Sequence, residues 1–436
     1  MRQSRRTGRT FLASGMVAAA TLAAGVLTPA TEATATTRAA PAHVAAAADT
    51  AADAARGTGA AVGSAGDGVV RVARRLRVGS AGAPTGGARG LAVQPVGVPL
   101  ADGHELAVDG TARVLRAATA GVRFAAVGVT WRRDVALGEV SVAVRTKASG
   151  TPKWSPWTTN EYHGANNRAG RTGPGLIWTG DAEAIDVVLT GVSGRSPKDV
   201  TLDLLDPGSN PVTFRGLPAA ARQPTRYGNG VVQIFSRSAW GASTAYMRKR
   251  PRYASSLKAV VLHHTATTNN YSADDVPRII RSIYYYMSVT EKYGDIGYNV
   301  LVDKYGRLWE GRAGGLDRPV IGIHAGGFNT GTSGIAIIGN HDKQPISAAA
   351  REAVARYAAF KLGRYGVDPL STQRITGGPS TRYKKRTTVR IPAISPHRET
   401  SRTACPGDEG LAILPGVRTR TKALIGRYHL DPRSRT

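Results

Sequence analysis

One short stretch near the end of the chain carries the residues best suited to metal chemistry. It is Ser395–Gly407, which contains His397 and Cys405, and Cys405 is the only cysteine among 436 residues. A lone cysteine cannot form an intramolecular disulfide, so in an exported protein it is a free thiol, an intermolecular partner or a metal ligand. Imidazole and thiolate are ligands that zinc prefers. The stretch therefore indicates part of a zinc site, for which the rest of the chain must supply another ligand.

Two adjacent histidines at the end of an apolar strand could supply that ligand. The strand is Ala259–Leu262, and His263 and His264 follow it directly. Adjacent strand residues point to opposite faces, so only one of the two should face the site, and spacing alone does not say which. The chain has no HExxH motif and no C-x-x-C pair, which argues against a metalloprotease of that type and against a structural zinc finger. Three protein ligands plus water would be the open geometry of catalytic zinc.

The residues around this constellation, 230–428, predict an α/β domain with a mixed β-sheet flanked by helices. Asp275 stands three residues after Ser272, a capping-box-like spacing, and a helical pattern of apolar residues follows. Ser347 is expected to cap a second helix across 348–364. Further short apolar runs predict three strands, 298–303, 307–310 and 334–339. Helices and strands intermixed in this way are typical of one α/β layer architecture.

A separate all-β domain is predicted ahead of it, over 90–208. In Glu139–Thr146 three valines alternate with other residues, the period-2 pattern of a strand with one buried face. The other expected strands are Val122–Trp131, Ala184–Leu189 and Val200–Leu205. A β-sandwich is the expected architecture. Residues 209–229, which contain three prolines, are expected to link the two domains.

Three tryptophans, Trp154, Trp157 and Trp178, are the conspicuous residues of this all-β domain. Aromatic faces suit the apolar faces of sugars, so the three could form a carbohydrate-stacking surface. Tryptophans in small β-domains more often pack in the core, because the residue is usually highly buried. We expect the core, and no residue of this domain indicates catalysis.

The N-terminus has the pattern of an export signal. Four arginines within the first nine residues precede a short alanine-rich apolar run, and Ala33–Ala35 offers an A-x-A cleavage site. Residues 1–35 are therefore predicted to be a signal peptide for the Sec or the twin-arginine route. Residues 36–89 are predicted to be a disordered alanine- and glycine-rich spacer, and 429–436 a tail. The mature protein is expected to be secreted or cell-wall associated, with no membrane-spanning segment.

The chain is strongly basic, with 58 lysines and arginines against 30 acidic residues and a formal net charge of +28. Such an excess attracts polyanions. For an exported protein the candidates are anionic cell-wall polymers or membrane surfaces as well as nucleic acid, and a compositional bias toward arginine is an equally weighted alternative. A nucleic-acid-binding function lacks an interleaved aromatic-basic module and conflicts with export, so no nucleic-acid partner is expected.

Several stretches, in order along the chain, resemble the peptidoglycan recognition protein branch of the zinc N-acetylmuramoyl-L-alanine amidases. They are Phe235–Ala242, Val260–Thr265, Ile296–Asn299, Trp309–Arg312, His324–Gly326, Ser333–Ile335 with Gly339-Asn340, and His397 with Thr403–Gly407. The similarity covers about 235–425, and the preceding residues are similar to the β-domain found ahead of such amidases in secreted actinobacterial proteins. The resemblance implies the amidase fold, and hydrolysis of the amide between the muramic lactyl group and L-alanine of peptidoglycan.

The resemblance also implies roles for individual residues. His263, His397 and Cys405 would bind Zn²⁺. His264 is placed with the substrate-binding residues, and packing or a contact behind the ligands is its favoured alternative. Tyr298 would be catalytic, because a phenol donor can stabilise the oxyanion of a tetrahedral intermediate.

Four further residues are assigned in the same way. Thr403 stands where phage-type relatives carry a lysine, so it can assist catalysis only by hydrogen bonding and not by charge. His324, Asn329 and Arg312 would line the glycan-peptide groove as substrate-binding residues. Their alternative interpretations are a loop histidine, a turn asparagine and a solvated arginine.

A basic segment leads to His397: residues 371–403 contain eight lysines and arginines and one glutamate. The segment could hold the protein near anionic wall polymers, and a solvated loop without a partner is the slightly favoured alternative.

The favoured function is a secreted, monomeric zinc amidase acting on peptidoglycan. The strongest alternative is a binding-only recognition protein on the same fold, since members that only bind commonly lack the cysteine.

Overall fold

The computed structural model describes residues 71–78, 97–98, 105–109, 112–118, 123–134, 140–162, 170–191, 197–207 and 223–432. The predicted signal peptide, 1–35, lies outside them, as does most of the predicted spacer. Among the described residues, no helix combines the length and apolar character needed to cross a membrane.

The first domain is all-β, as predicted. Its strands are β1 Arg71–Val78, β2 Gly97–Val98, β3 Glu105–Asp109, β4 Ala112–Ala118, β5 Phe124–Arg132, β6 Val140–Ala148, β7 Thr158–Tyr162, β8 Arg171–Gly191 and β9 Val200–Asp206. They follow the order β2-β1-β9-β5-β8-β4-β3, and β6 pairs with both β7 and β8. The long strand β8 pairs with β5 through its first half and with β4 and β6 through its second. Apolar side chains of β5, β6, β8 and β9 enclose one core.

The spacer prediction is wrong at its C-terminal end. Strand β1 lies inside 36–89 and pairs antiparallel with β9. The pairing runs residue by residue from Arg74 to Val78 and shifts register between Val72 and Arg74. The alanine-rich composition of the segment obscured this strand. Pairing with β9 satisfies backbone groups that an isolated strand would leave to water.

The second domain is built on a seven-stranded mixed sheet. Its strands are β10 Thr225–Tyr227, β11 Val232–Phe235, β12 Ala259–His264, β13 Val300–Val302, β14 Leu308–Glu310, β15 Thr332–Ile337 and β18 Ile394–Pro396. The order is β10-β11-β14-β13-β15-β12-β18, and β16 Thr372–Gly377 forms a separate hairpin with β17 Thr387–Pro392. The helices are α1 Val276–Tyr285, α2 Ala348–Arg364, α3 Asp408–Ala412 and α4 Leu414–Arg427.

Helices cover both faces of this sheet, because side chains alternate along each strand. Val300 and Val302 join a core that contains apolar residues of α2 and α4. Leu301, between them, joins a second core with the apolar residues of α1. The period-2 pattern of a strand thus separates two cores on either side of one layer.

Two predicted domain limits need correction. Thr225–Tyr227, inside the predicted linker, is strand β10 and pairs antiparallel with β11. Leu430, inside the predicted tail 429–436, is 7% exposed and packs into the core beside α2 and α4. In both cases a short segment beyond the last clear sequence pattern still belongs to the domain, because its residues pair with a strand or pack in the core.

The predicted cap at Ser347 is confirmed, whereas α1 begins at Val276 with Asp275 as its N-cap and without a side-chain cap. The side-chain carboxylate of Asp275 accepts hydrogen bonds from the backbone N–H and the hydroxyl of Ser272, each at 2.8 Å, just before α1. The hydroxyl of Ser347 accepts from the backbone N–H of Ala350 at 3.1 Å, and α2 begins at Ala348. The Ser347 bond satisfies a donor that has no partner within α2, and the Ser272–Asp275 bonds fix the turn before α1. After Tyr285, α1 continues as a short π-helix, Tyr286–Thr290.

The three tryptophans divide between two environments. Trp178 is 3% exposed in a core, as expected. Trp154 and Trp157 are half-buried instead, with the Arg145 guanidinium carbon 4.9 Å from the centroid of each ring. Arg145 therefore covers these rings, and its carboxylate partner Asp186, at 2.8 Å, is fully buried.

The two domains pack against each other through a shared core. Leu176 and Trp178 of β8 lie in the same apolar cluster as Ile283 of α1. Arg278 of α1 stacks over Trp178, 5.4 Å from the ring centroid, and forms an ion pair with Asp181. Burial of apolar surface is the main stabilising contribution to such a contact, so the domains do not behave as modules on a free tether.

This contact predicts the effect of a single methyl group. A Cβ at Gly128 of β5 would lie 2.6 Å from the ring of Tyr286, whereas a Cβ at Gly416 of α4 would meet no atom within 4 Å. We expect Gly128→Ala to destabilise the protein by about 1–3 kcal/mol through overpacking. The control, Gly416→Ala, should stabilise it by about 0.5–1 kcal/mol through helix propensity. Thermal unfolding measures both, and an unchanged melting temperature for Gly128→Ala would contradict a packed domain contact.

Candidate metal centre

Strand register brings the first two residues of the site together. Strand β12 pairs in parallel with β18, with Leu262 opposite Pro396. The next residues in each chain segment are His263, still on β12, and His397, which opens a short 3₁₀ turn. Parallel neighbours keep their residues level, so the two imidazoles emerge side by side, with ring centroids 4.4 Å apart.

A tight turn brings Cys405 to the same place. Its backbone carbonyl accepts from the N–H of Arg398 at 3.2 Å, which ties the turn to the residue after His397. Gly407 closes the turn with φ of +84°, and a Cβ there would lie 2.1 Å from the carbonyl oxygen of His341. Glycine is required on both counts, since other residues rarely adopt this conformation.

The three predicted ligands form one cluster. The donor atoms of His263, His397 and Cys405 all lie within 4.8 Å of one another. The Cys405 sulfur is 3.6 Å from Nδ1 of His263, so Nδ1 is the nitrogen that faces the cluster. His264, on the opposite face of β12, accepts a hydrogen bond at its own Nδ1 from the backbone N–H of His341, at 3.1 Å. Of the two adjacent histidines, His263 is the one whose ring belongs to the cluster.

His324 supports His263 from behind. Nε2 of His263, the nitrogen turned away from the sulfur, lies 3.0 Å from Nδ1 of His324. Nε2 of His324 is in turn 3.5 Å from the hydroxyl of Thr332. Ligand histidines commonly use their second nitrogen in this way, which fixes ring orientation and tautomer.

Burial determines the protonation states in the cluster. It is the main cause that lowers the pKa of His263 well below its usual range, that of His397 to about 4 and that of His324 to about 3. Burial likewise raises the pKa of the Cys405 thiol to about 12. At neutral pH the imidazoles are neutral, the form that binds metals. The thiol must lose its proton on binding, which a coordinated divalent cation brings about.

The donor set fits zinc. Two imidazole nitrogens and one sulfur match the ligands and the three-ligand count of catalytic zinc sites. Calcium and magnesium prefer oxygen ligands, which this cluster does not offer.

The two residues assigned to catalysis lie beside the cluster. The Tyr298 ring centroid is 5.3 Å from that of His263, and burial raises the pKa of its hydroxyl, which therefore stays protonated and able to donate. The Thr403 hydroxyl accepts from the backbone N–H of Cys405 at 3.2 Å, which leaves its proton available. Both side chains line the cleft above the cluster.

The remaining predicted residues differ in position: some line the cleft, one also shapes the loop that carries His324, and one is buried away from the cleft. The side-chain oxygen of Asn329 accepts from the backbone N–H groups of His324 and Ala325, each at 2.8 Å, so Asn329 shapes the loop that carries His324. Arg312 is 7% exposed and donates to the carbonyl of Ile296 at 2.9 Å. It is neither solvated nor part of the cleft lining, while Asn329, His324 and His264 all reach the lining.

One cavity of about 300 Å³ opens above the cluster. Its lining includes residues to which the sequence assigned no role. Beyond the metal cluster these are Ile283, Tyr286, Met287, Glu291 and Tyr293 near α1, Thr381, Ser401 and Arg402 near the β16–β17 hairpin, and Gly173–Leu176 of β8. Burial raises the pKa of Glu291 to about 7. No motif singled out these residues, because nonlocal packing brings them to the cleft.

Comparison with known proteins now identifies the class. Residues 253–408 match the N-acetylmuramoyl-L-alanine amidase family, and 84–211 match a family described as Rv3811 N-terminal galactose-binding domain-like. Peptidoglycan-recognition protein SD of Drosophila simulans is 34% identical over 206 residues, 46% of this chain and 90% of that protein. Human peptidoglycan recognition protein 3 is 35% identical over 120 residues, 28% of this chain and only 33% of that protein.

The chain belongs to the peptidoglycan recognition protein family. The resemblance inferred from the motifs is thereby confirmed, and the N-terminal match agrees with a separate all-β domain. Among solved structures, wild-type PGRP-LB of Drosophila is 24% identical and superposes with a TM-score of 0.33, covering 42% of this chain and 91% of that chain. The family assignment depends on the sequence relatives and not on this superposition.

The cluster predicts a specific pattern of metal content. We expect about one zinc ion per chain in the purified protein, and its loss in His263→Ala, His397→Ala and Cys405→Ala, because two remaining ligands do not retain zinc. His429, an exposed histidine outside the cluster, provides the control His429→Asn. Elemental analysis after dialysis measures the content. Zinc retained at the wild-type level by Cys405→Ala would show that the sulfur is not a ligand.

Proposed function

We propose that this protein is a secreted, zinc-dependent N-acetylmuramoyl-L-alanine amidase that hydrolyses the amide between the lactyl group and L-alanine of peptidoglycan. The observation that carries the proposal is the grouping of His263, His397 and Cys405 at the floor of a cleft. This cleft lies within the residues that match the amidase family. His263, His397 and Cys405 would hold the zinc ion.

The protein's own side chains would bind and orient the amide. When bound, zinc acidifies a water molecule and polarises the amide carbonyl. Tyr298, protonated at neutral pH, donates a hydrogen bond to the carbonyl oxygen as negative charge develops there. Thr403 adds a weaker donor while it holds the backbone of Cys405. His324 keeps His263 in one tautomer and one orientation.

A binding-only recognition protein is the alternative function. It would use the same cleft without needing the cluster. The buried cysteine favours the enzyme, because an isolated thiol adds little to peptide or sugar recognition, whereas it completes a three-ligand site. Tyr298 beside the cluster adds a donor where an oxyanion would form.

Removal of one hydroxyl tests the proposed reaction. We expect Tyr298→Phe to lower kcat on a defined muropeptide by about 10²–10³-fold with little change in KM, because the donor acts mainly on the transition state. Zinc content should not change. Tyr305, an exposed tyrosine outside the cleft, gives the control Tyr305→Phe. Products identified by mass establish the bond, and an unchanged kcat in Tyr298→Phe would contradict the assigned role.

We also propose a partner for the basic segment before His397. The segment is a β-hairpin, β16–β17, rather than the predicted loop. Its tip carries Arg382, Lys384, Lys385 and Arg386, all exposed. The neighbouring residue Thr381 lines the cleft, as does Arg402. Clustered positive charge at the rim would attract anionic wall polymers toward the cleft.

Salt dependence distinguishes this attraction from other binding. Replacing Lys384, Lys385 and Arg386 with glutamine should weaken binding to isolated cell walls at about 0.05 M salt, and the difference should vanish near 1 M, where screening is complete within about 3 Å. A matched triple variant at the exposed Arg248, Lys249 and Arg250 makes the same change in net charge elsewhere. Equal binding by the two triple variants at low salt would contradict a specific role for the hairpin.

A further inference from the structure

The all-β domain reaches the cleft that contains the metal cluster. Four consecutive residues of β8, Gly173–Leu176, line the same cavity as His263 and Cys405. The cavity measures about 300 Å³, the size that a drug-sized ligand fills. A substrate whose scissile bond lies at the cluster therefore extends to β8 without leaving the cavity.

The first half of β8 is irregular where it lines the cavity, and this irregularity brings four consecutive residues to the lining. The pairing with β5 shifts register between Thr172 and Gly175, so Gly173 and Pro174 lie in a bulge, and Gly175 has a φ of +96°. One edge of this half pairs with β5, where Gly175 lies opposite Val129. In the part of the chain that the structure describes, β4 and β6 pair only with 182–191, so no strand covers the other edge. Pro174 fits an edge position, because proline lacks the N–H of an inner strand.

Packing between the domains holds this edge in place. Leu176 is 5% exposed and belongs to the core shared with α1. Arg278 binds Trp178 and Asp181, just beyond it on the same strand. The Arg281 guanidinium also donates to the carbonyl of Pro207, after β9, at 3.2 Å. These contacts with α1 hold this part of β8 in a fixed position at the side of the cleft.

The chemistry of the wall indicates which part of a substrate it contacts. Gly173, Pro174, Gly175 and Leu176 offer backbone amides and aliphatic carbon, with no aromatic ring or charge of their own. Sugars are bound mainly by aromatic stacking and side-chain hydrogen bonds, whereas an exposed strand edge binds extended peptides through main-chain groups. Glycines let a ligand approach the backbone closely.

We propose that Gly173–Leu176 of the all-β domain form a subsite for the peptide stem of peptidoglycan, and that this wall determines which stems the cleft accepts. The inference rests on the proposed function for its substrate. It assigns to the N-terminal domain a direct part in substrate selection.

A larger side chain within Gly173–Leu176 tests whether these residues contact the peptide stem. Pro174→Trp places a large ring in the cavity, while Thr179→Trp makes the same change on β8 outside the lining. Pro174→Ala controls for the loss of proline. The probes are N-acetylmuramoyl dipeptide and N-acetylmuramoyl pentapeptide, measured as KM in the full chain and as Kd in the Tyr298→Phe background, which keeps the ligand intact.

We expect Pro174→Trp to raise KM and Kd for the pentapeptide about tenfold or more, because overfilled sites bind poorly, with the dipeptide and both controls near wild type. A rise of equal size in KM and Kd for both fragments, or no rise for the pentapeptide, would overturn the peptide subsite. A wild-type chain that binds without cleaving contradicts only the amidase reaction. A wild-type chain that neither binds nor cleaves contradicts both proposals.

Discussion

The parallel pairing of β12 with β18 is the constraint on which the site depends. It sets His263 level with His397 at the end of two neighbouring strands, although 133 residues lie between them in the sequence. Because both strands are buried in the sheet, their register cannot slip without moving apolar residues out of the core. The turn that carries Cys405 is tied to this frame by the bond between its carbonyl and Arg398. Strand pairing therefore fixes the positions of the donor atoms before any cation binds.

A second consequence of packing is that the cleft belongs to both domains. The core shared by β8 and α1 leaves the backbone of Gly173–Leu176 beside the metal cluster. The hairpin β16–β17 brings positive charge to another part of the rim. An amidase domain alone would provide the cluster and its donors, but the cleft as built also has a wall from the preceding domain. Burial of the cluster beneath these walls keeps its imidazoles neutral.

Much of this could be predicted from the sequence, because the informative patterns are local. The cap at Ser347, the Ser272–Asp275 turn before α1, the mixed sheet and the different partners of His263 and His264 each follow from a few adjacent residues. What could not be predicted depends on distant pairing. Strand β1 is recognisable only once β9 is known to pair with it. The buried position of Arg312, the support that His324 gives to His263 and the presence of β8 in the cleft likewise arise from packing between segments far apart in sequence.

The central proposal is that His263, His397 and Cys405 would hold a zinc ion that supports hydrolysis of the muramoyl–L-alanine amide. Its most direct test is digestion of one defined muropeptide by the untreated protein, by protein depleted of metal with a chelator, and by depleted protein given zinc again, with products identified by mass. The account predicts cleavage at that single amide, its loss on depletion and its return with zinc. Cleavage that survives both depletion and Cys405→Ser would contradict it.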